Sequence, residues 1–253
     1  MKLRLLKAVR TIEEFDEKLF SDYGIGVELQ DFTEPCLSDY EVFKTLLAYE
    51  KKLFNFSACT ALHGSFLDMD IASFNRDIAK YSERMYLRDL FFAKVLDIDY
   101  VIFHANIKAC ANKTAHDYFM NLQKDFFDKA IDATGFKGTV VLENVTEKNP
   151  NLILTLVEKI NHPQVKINLD IGHAKLSEVG IEKWIADTKN FLAYMHLHTN
   201  DCVEDLHAPI SSSEAKDIFS ILAKYNCNVP ISLEYWNCNI LDEVNKLKGI
   251  WND

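Results

Sequence analysis

Short β-branched and aromatic runs alternate along the chain with longer stretches whose apolar residues recur at three- and four-residue spacing. This alternation predicts repeated βα units around a parallel sheet. Eight runs read as strands, at 3–6, 25–32, 60–66, 100–106, 139–145, 165–171, 192–198 and 230–235. Helical periodicity is clearest at 38–54, 75–96, 116–134, 150–160 and 212–225. Several helix starts carry caps: Thr11 with Glu14, Ser38 with Glu41, and Ser212 and Ser213 before Glu214 and Asp217. These place hydroxyls and carboxylates where unpaired N–H groups point. Asn149-Pro150 puts a proline in the first turn of the next helix, where its missing N–H costs nothing.

Eight βα units in 253 residues fit a single-domain (β/α)8 TIM barrel spanning 1–253, with an open doubly wound sheet as the alternative. The open sheet is favoured by a GxGxxG turn after the first strand, and none is present; Gly24-Ile25-Gly26 precedes a strand. No Gly/Ser/Pro-rich linker divides the chain.

Composition narrows the function. An apolar fraction of 48% with 17 Phe supplies ample core. The net charge of −10 is spread along the chain and counts against a nucleic-acid partner or an anionic lipid surface. Six cysteines (Cys36, Cys59, Cys110, Cys202, Cys227, Cys238) form no CxxC pair and read as reduced thiols. The start, MKLRLLKAVR, lacks an apolar signal region, and no run approaches the ~18 apolar residues of a membrane span. A soluble cytoplasmic protein is expected.

In a barrel, chemistry gathers at the C-terminal ends of the strands. Six consecutive runs, the third to the eighth, end in a metal-ligand type: His63, His104, Glu143, Asp170, His196 and Glu234. His173 follows Asp170 by three residues, and the stretch 194–209 adds His198, Asp201, Glu204, Asp205 and His207. Borderline nitrogen and hard oxygen donors suit Zn²⁺, Mn²⁺ or Fe²⁺. A lone strand histidine is usually a core residue and a lone carboxylate usually a cap. Nine such groups converging on one barrel mouth, by contrast, require compensating cations. His116 and His162 lie in a helix start and a loop and receive no role.

These residues resemble the xylose isomerase-like TIM barrels, a superfamily of sugar and sugar-phosphate isomerases and epimerases that also includes the endonuclease IV type of AP endonuclease. The carriers are ALHGSF around His63, VIFHAN around His104, VVLENV around Glu143, NLDIGHA from Asn168, MHLH around His196, DLH at Asp205 to His207 and SLEY around Glu234. The epimerase resemblance implies one cation held by Glu143, Asp170, His196 and Glu234. Glu143 and Glu234 then double as the catalytic acid/base pair working through an enediolate, and Glu28, His173 and His198 bind substrate. The endonuclease IV resemblance implies three zinc ions: one at His63, His104 and Glu143; one at Glu143, Asp170, His196 and Glu234; and one at His173, Asp205 and His207. The expectation is therefore one to three divalent ions (Zn²⁺ or Mn²⁺) and a small sugar or sugar-phosphate substrate, with a homodimer by analogy to isomerase relatives.

Two departures separate the readings. Epimerases of this type usually carry an Arg after the seventh strand, where this chain has Asp205-Leu206-His207. Against DNA, the loop at 31–40 contains no Lys or Arg, and the loop after the third strand offers Phe66 and Leu67 beside Asp68 and Asp70. Lys108, Lys113 and Arg76 are the loop cations that could meet a phosphate. The expectation is a metal-dependent isomerase or epimerase, with a multinuclear zinc phosphoesterase as the alternative.

Overall fold

The computed structural model describes residues 2–33, 37–108 and 112–252. Eight parallel strands close into a barrel in sequence order. They are β1 Leu5–Val9, β2 Gly26–Leu29, β3 Thr60–His63, β4 Tyr100–His104, β5 Thr139–Glu143, β6 Val165–Asp170, β7 Leu192–Leu197 and β8 Ile231–Leu233. The intervening helices are α1 Glu17–Tyr23, α2 Asp39–Leu53, α3 Arg76–Val95, α4 Lys113–Thr134, α5 Asn151–Ile160, α6 Ile171–Lys175, α7 Ile181–Thr188, α8 Ser212–Lys224 and α9 Ile240–Asn252. β8 pairs with β1 and closes the sheet, so the open alternative falls.

All eight sequence runs become strands, with shifted ends. β1 starts two residues later and runs through Lys7 to Val9. The charge at Lys7 disguises a buried strand position, where its Nζ donates to the Ala8 and Leu233 carbonyls at 2.8 and 3.3 Å. Burial pulls this amine down to about 8. At β2 the run breaks after Leu29 into a 3-10 turn at Asp31–Thr33.

Some caps differ from expectation. Ser38 and Glu41 form a full capping box. At α8 the box belongs to Ser211 with Glu214, one residue before the serines expected. Thr11 makes no side-chain cap, and Pro150 occupies the N-cap of α5, one residue ahead of the first turn. The short α1, α6 and α7 escape periodicity because a helix of five to eight residues spans too few turns to show it. α1 ends on Gly24 at φ 60°, a left-handed cap that glycine adopts without a Cβ clash.

Most of the core lies between barrel and helices. A second cluster fills the barrel interior with Leu6, Ala61, Ile102, Val141 and Tyr194. Side chains two apart on a strand share a face. The residues two positions beyond Ala61, Ile102, Val141 and Tyr194 are His63, His104, Glu143 and His196. An apolar plug thus forms the floor of a polar layer at the mouth. Cys59, Cys202, Cys227 and Cys238 are free thiols, and Cys36 and Cys110 lie outside the described residues. Among the described residues no helix is long and apolar enough to cross a membrane.

Candidate active site and metal centre

Strand register sets the inner part of the site. His104 is level with Glu143, Glu143 with Asn168, and Asp170 with His196. Asp170 and His196 thus stand two residues further along the sheet than His104 and Glu143, and the donors still meet at the mouth. His196 is fully buried at their centre. Its Nδ1 lies 3.2 Å from Glu143 Oε2, 3.1 Å from Glu234 Oε2 and 3.6 Å from Asp170 Oδ2. That nitrogen has no hydrogen-bond partner. On the other side of the ring, Nε2 donates to Glu28 Oε2 at 3.1 Å.

The electrostatics follow from this crowding. Burial opposes a charged His196, but Glu234, Glu28 and Glu143 overcome it and raise the ring well above the usual imidazole range. Burial likewise opposes ionised Glu143 and Glu234. The His196 charge nevertheless holds Glu143 well below the carboxylate range and Glu234 at about 2. Asp170, buried beside His173 and His198, is also depressed. Several carboxylates confined with one proton-bearing ring are an arrangement that a divalent cation stabilises further.

Two further donor groups flank this centre. His63 donates from Nδ1 to the Gly64 carbonyl at 2.9 Å and turns Nε2 toward Glu143 Oε2 at 3.7 Å. His104 stands 5.4 Å from the His63 ring, centroid to centroid, and burial lowers it to about 4. A neutral imidazole is the form that ligates metal. On the opposite flank, His173, His198, Asp205 and His207 bring donor atoms within 4.8 Å of one another. There burial opposes His173 and His207. Asp170, Asp205 and Glu143 nonetheless push His173 up to about 12, and Asp205 with Glu234 brings His207 to about 9.

All nine residues expected as metal ligands thus lie within the three donor groups. Glu28, expected at the substrate, is placed beneath His196. It is fully buried and also accepts from the Tyr194 hydroxyl at 2.8 Å. His198, likewise expected at the substrate, is fully buried against Asp170. Of the loop cations, Lys108 is held by Asp70 at 2.8 Å. Arg76 opens α3 and Lys113 opens α4.

Sequence reading missed the supports. Asn168 donates to Glu143 Oε2 at 3.0 Å, Gln30 donates to Glu234 Oε1 at 2.8 Å, and Asn144 brackets the Asp170 backbone. Period two was the available signal. Asn168 and Tyr194 precede Asp170 and His196 by two residues, and Gln30 follows Glu28 by two, all on the same faces.

Residues 26–250 match the family described as xylose isomerase-like TIM barrel. No curated protein matches the sequence. Among solved structures, a D-tagatose 3-epimerase-like protein superposes with TM-score 0.79 at 18% identity, covering 99% of this chain and 97% of that one. A Thermus thermophilus protein from crystals soaked in ZnCl2 gives 0.75 at 17%, covering 100% and 98%. A D-psicose 3-epimerase from Clostridium cellulolyticum, with D-tagatose, gives 0.65 at 16%, covering 99% and 97%.

Proposed function

The chain belongs to the xylose isomerase-like TIM barrel family, and from that premise we propose that it is a divalent-metal-dependent isomerase or epimerase of a sugar or sugar phosphate. One observation carries the reading. Glu143 and Glu234 turn a carboxylate oxygen each, at 3.2 and 3.1 Å, toward the same unpartnered nitrogen of His196. Two carboxylates facing one spot from the ends of two separate strands are what proton removal and return at one carbon require. The neighbours named as sugar epimerases support the substrate class.

The donor set fits a cation. Glu143, Asp170 and His196 offer ligand atoms within 4.8 Å of one another, Glu234 faces the same His196 nitrogen, and that nitrogen lacks any other partner. A bound divalent ion supplies Lewis acidity toward a substrate carbonyl and its neighbouring hydroxyl. Glu143 and Glu234 remain ionised beside His196, the state a proton acceptor needs. One takes the proton from the carbon beside the carbonyl, the electron pair moves to the carbonyl oxygen as an enediolate, and a protonated carboxyl returns a proton to complete the isomerisation. Glu28 and Tyr194 hold the His196 ring, and Asn168 and Gln30 hold the two carboxylates. The apolar floor beneath limits water at the reacting carbon.

The test is proton exchange. Incubation with a panel of ketoses, aldoses and their phosphates in D2O is expected to place deuterium on the carbon beside the carbonyl, read by NMR. Turnover of any of them without exchange sinks the proton-transfer mechanism. The second reading, a multinuclear zinc phosphoesterase, is favoured by the His63–His104–Glu143 group. It predicts hydrolysis of an activated phosphodiester and a cation held by those three residues.

A further inference from the structure

Beyond the ends of β4 and β5, the loops after β3, β4 and β5 enclose a cavity of about 770 Å³, with Asp70, Asn106, Ile107, Thr146 and Glu147 among its walls. None of these residues belongs to the three donor groups. The volume lies within the range of about 300–1,000 Å³ typical of pockets for small organic ligands. The cavity also begins close to the inner centre. Asn106 and Val145 follow His104 and Glu143 by two residues, so each Cα lies within about 7 Å of that of the donor before it.

The lining suits a neutral polyol. Ile107, 7% exposed, supplies an apolar patch. Asn106 is held in the left-handed conformation at φ 50°, and its Nδ2 donates to the Met69 carbonyl and the Tyr86 hydroxyl at 3.1 Å each. Among the described residues nothing donates to its Oδ1, which leaves that oxygen to accept from a ligand hydroxyl. Glu147 is 4% exposed and accepts from the Val145 N–H at 2.7 Å, which fixes a carboxylate in the wall. Both lysines of the lining are already paired, Lys108 with Asp70 at 2.8 Å and Lys148 with Glu178 at 2.6 Å. Two carboxylates, one amide and two neutralised amines disfavour an anion and offer acceptors to hydroxyl groups.

An aromatic shelf borders the same rim. Phe74, just ahead of α3, is 71% exposed, and Tyr118 of α4 is 47% exposed. Their rings stack at 5.6 Å with the planes 9° apart. Lys108 ties the shelf to the cavity, its Nζ lying 5.9 Å from the Phe74 ring centre and 4.6 Å from that of Phe119. Parallel rings left in solvent offer a flat apolar surface to the C–H face of a sugar. We infer that cavity and shelf receive the second sugar unit of a neutral glycoside, so that the substrate is a disaccharide or larger glycoside and not a free or phosphorylated monosaccharide. The inference rests on the isomerase or epimerase reading for the unit that reacts at the inner centre.

Matched ligands test it: glucose, glucose 6-phosphate and cellobiose, and fructose, fructose 6-phosphate and maltulose. Binding to the Mn²⁺-loaded full chain is read by titration calorimetry, and deuterium uptake in D2O by NMR, in wild type, Phe74→Ala and Thr146→Trp. Both positions are exposed, so either variant is expected to fold. A disaccharide is expected to bind about tenfold or more tighter than its free sugar, and the phosphates no tighter. Phe74→Ala removes the shelf and Thr146→Trp narrows the cavity, and in each the ratio is expected to fall toward one. Equal binding of free sugars and disaccharides, a preference for the phosphates, or an advantage that both variants keep would overturn the inference. A disaccharide advantage lost in the variants but without deuterium uptake would uphold the glycoside cavity and count against the proposed reaction only. Uptake from free sugars with no disaccharide advantage would do the reverse.

Discussion

The inner and outer donor groups sit side by side and are built on opposite plans. The inner one, around His196, stands on strand ends. Its donors are buried, their height is set by sheet register, and carboxylates outnumber the imidazole. The outer one, around Asp205, draws two of its donors from an exposed loop, has three imidazoles to one carboxylate, and leaves Asp205 33% exposed at the side chain. Strand ends give the precision that catalysis needs. A loop reaches similar definition only if something ties it down, and here His173 and His207 hold Asp205 by hydrogen bonds of 3.1 and 3.0 Å.

The sharpest way to break this contrast is Glu143→Gln. Glu143 reaches both His63 and His196 and lies 3.4 Å from His173 Nδ1, so it touches every donor group. Loss of its charge is expected to empty the inner centre and lower turnover about 10²–10⁴-fold. Metal analysis alongside the assay reads that loss. Full activity in this variant would refute both functional readings.

Glu28→Gln probes orientation without touching a carboxylate that faces the inner site. The His196 ring is held from behind by Glu28, itself held by Tyr194. Weakening that support is expected to cost about 10–100-fold in inner-centre metal affinity, measured by competition with a chromophoric chelator. Unchanged affinity would mean that packing alone orients the ring.

The same contrast explains what could be read from the sequence. Eight βα units and the strand-end donors were legible because both are periodic: the fold repeats, and each donor ends an apolar run. His63, His104, Glu143 and Asp170 follow from that rule alone. Glu28 obeys the same rule yet lies below the mouth, because a strand position gives the face of a side chain and not what covers it. The burial of His198 was hidden for another reason. Its place depends on Gly172 clearing space from a different element, a pairing that no local pattern encodes. Short helices and the Ser211 cap were lost to the same limit of local windows.

Gly172→Ala tests that clearing directly. The added methyl must displace the His198 ring, which also holds Asp170. Overpacking of this kind costs about 1–3 kcal/mol. Thermal unfolding should show the loss, with the Tm falling by several degrees. An unchanged Tm would mean that the His198 ring has room to move without cost.

The smallest expected effect is a difference in pH response between the stripped and the zinc-loaded chain. His207 is raised to about 9 from an ordinary 6.5, against burial, by Asp205 and Glu234. Its proton is therefore bound more tightly in the folded state, so its stabilisation is complete below about pH 6.5 and is lost as pH rises through about 9. Glu234 has the opposite sign: depressed to about 2, it stabilises above its ordinary 4.5 and loses that contribution as pH falls through about 2. Without metal, the Tm is thus expected to fall between pH 6.5 and 9. The His207 share of the drop should be only a few degrees, about 5 °C at most, because its side chain is 28% exposed and solvent screens it, and His173, raised further by its carboxylates, adds a fall of the same sign. A bound ion removes the proton from the same nitrogen, so the zinc-loaded chain has none to lose and its Tm should stay level across that window. Parallel curves for the two forms would show that no ion replaces the proton between Asp205 and His207, and the outer group would then be an ion-pair cluster of the loop.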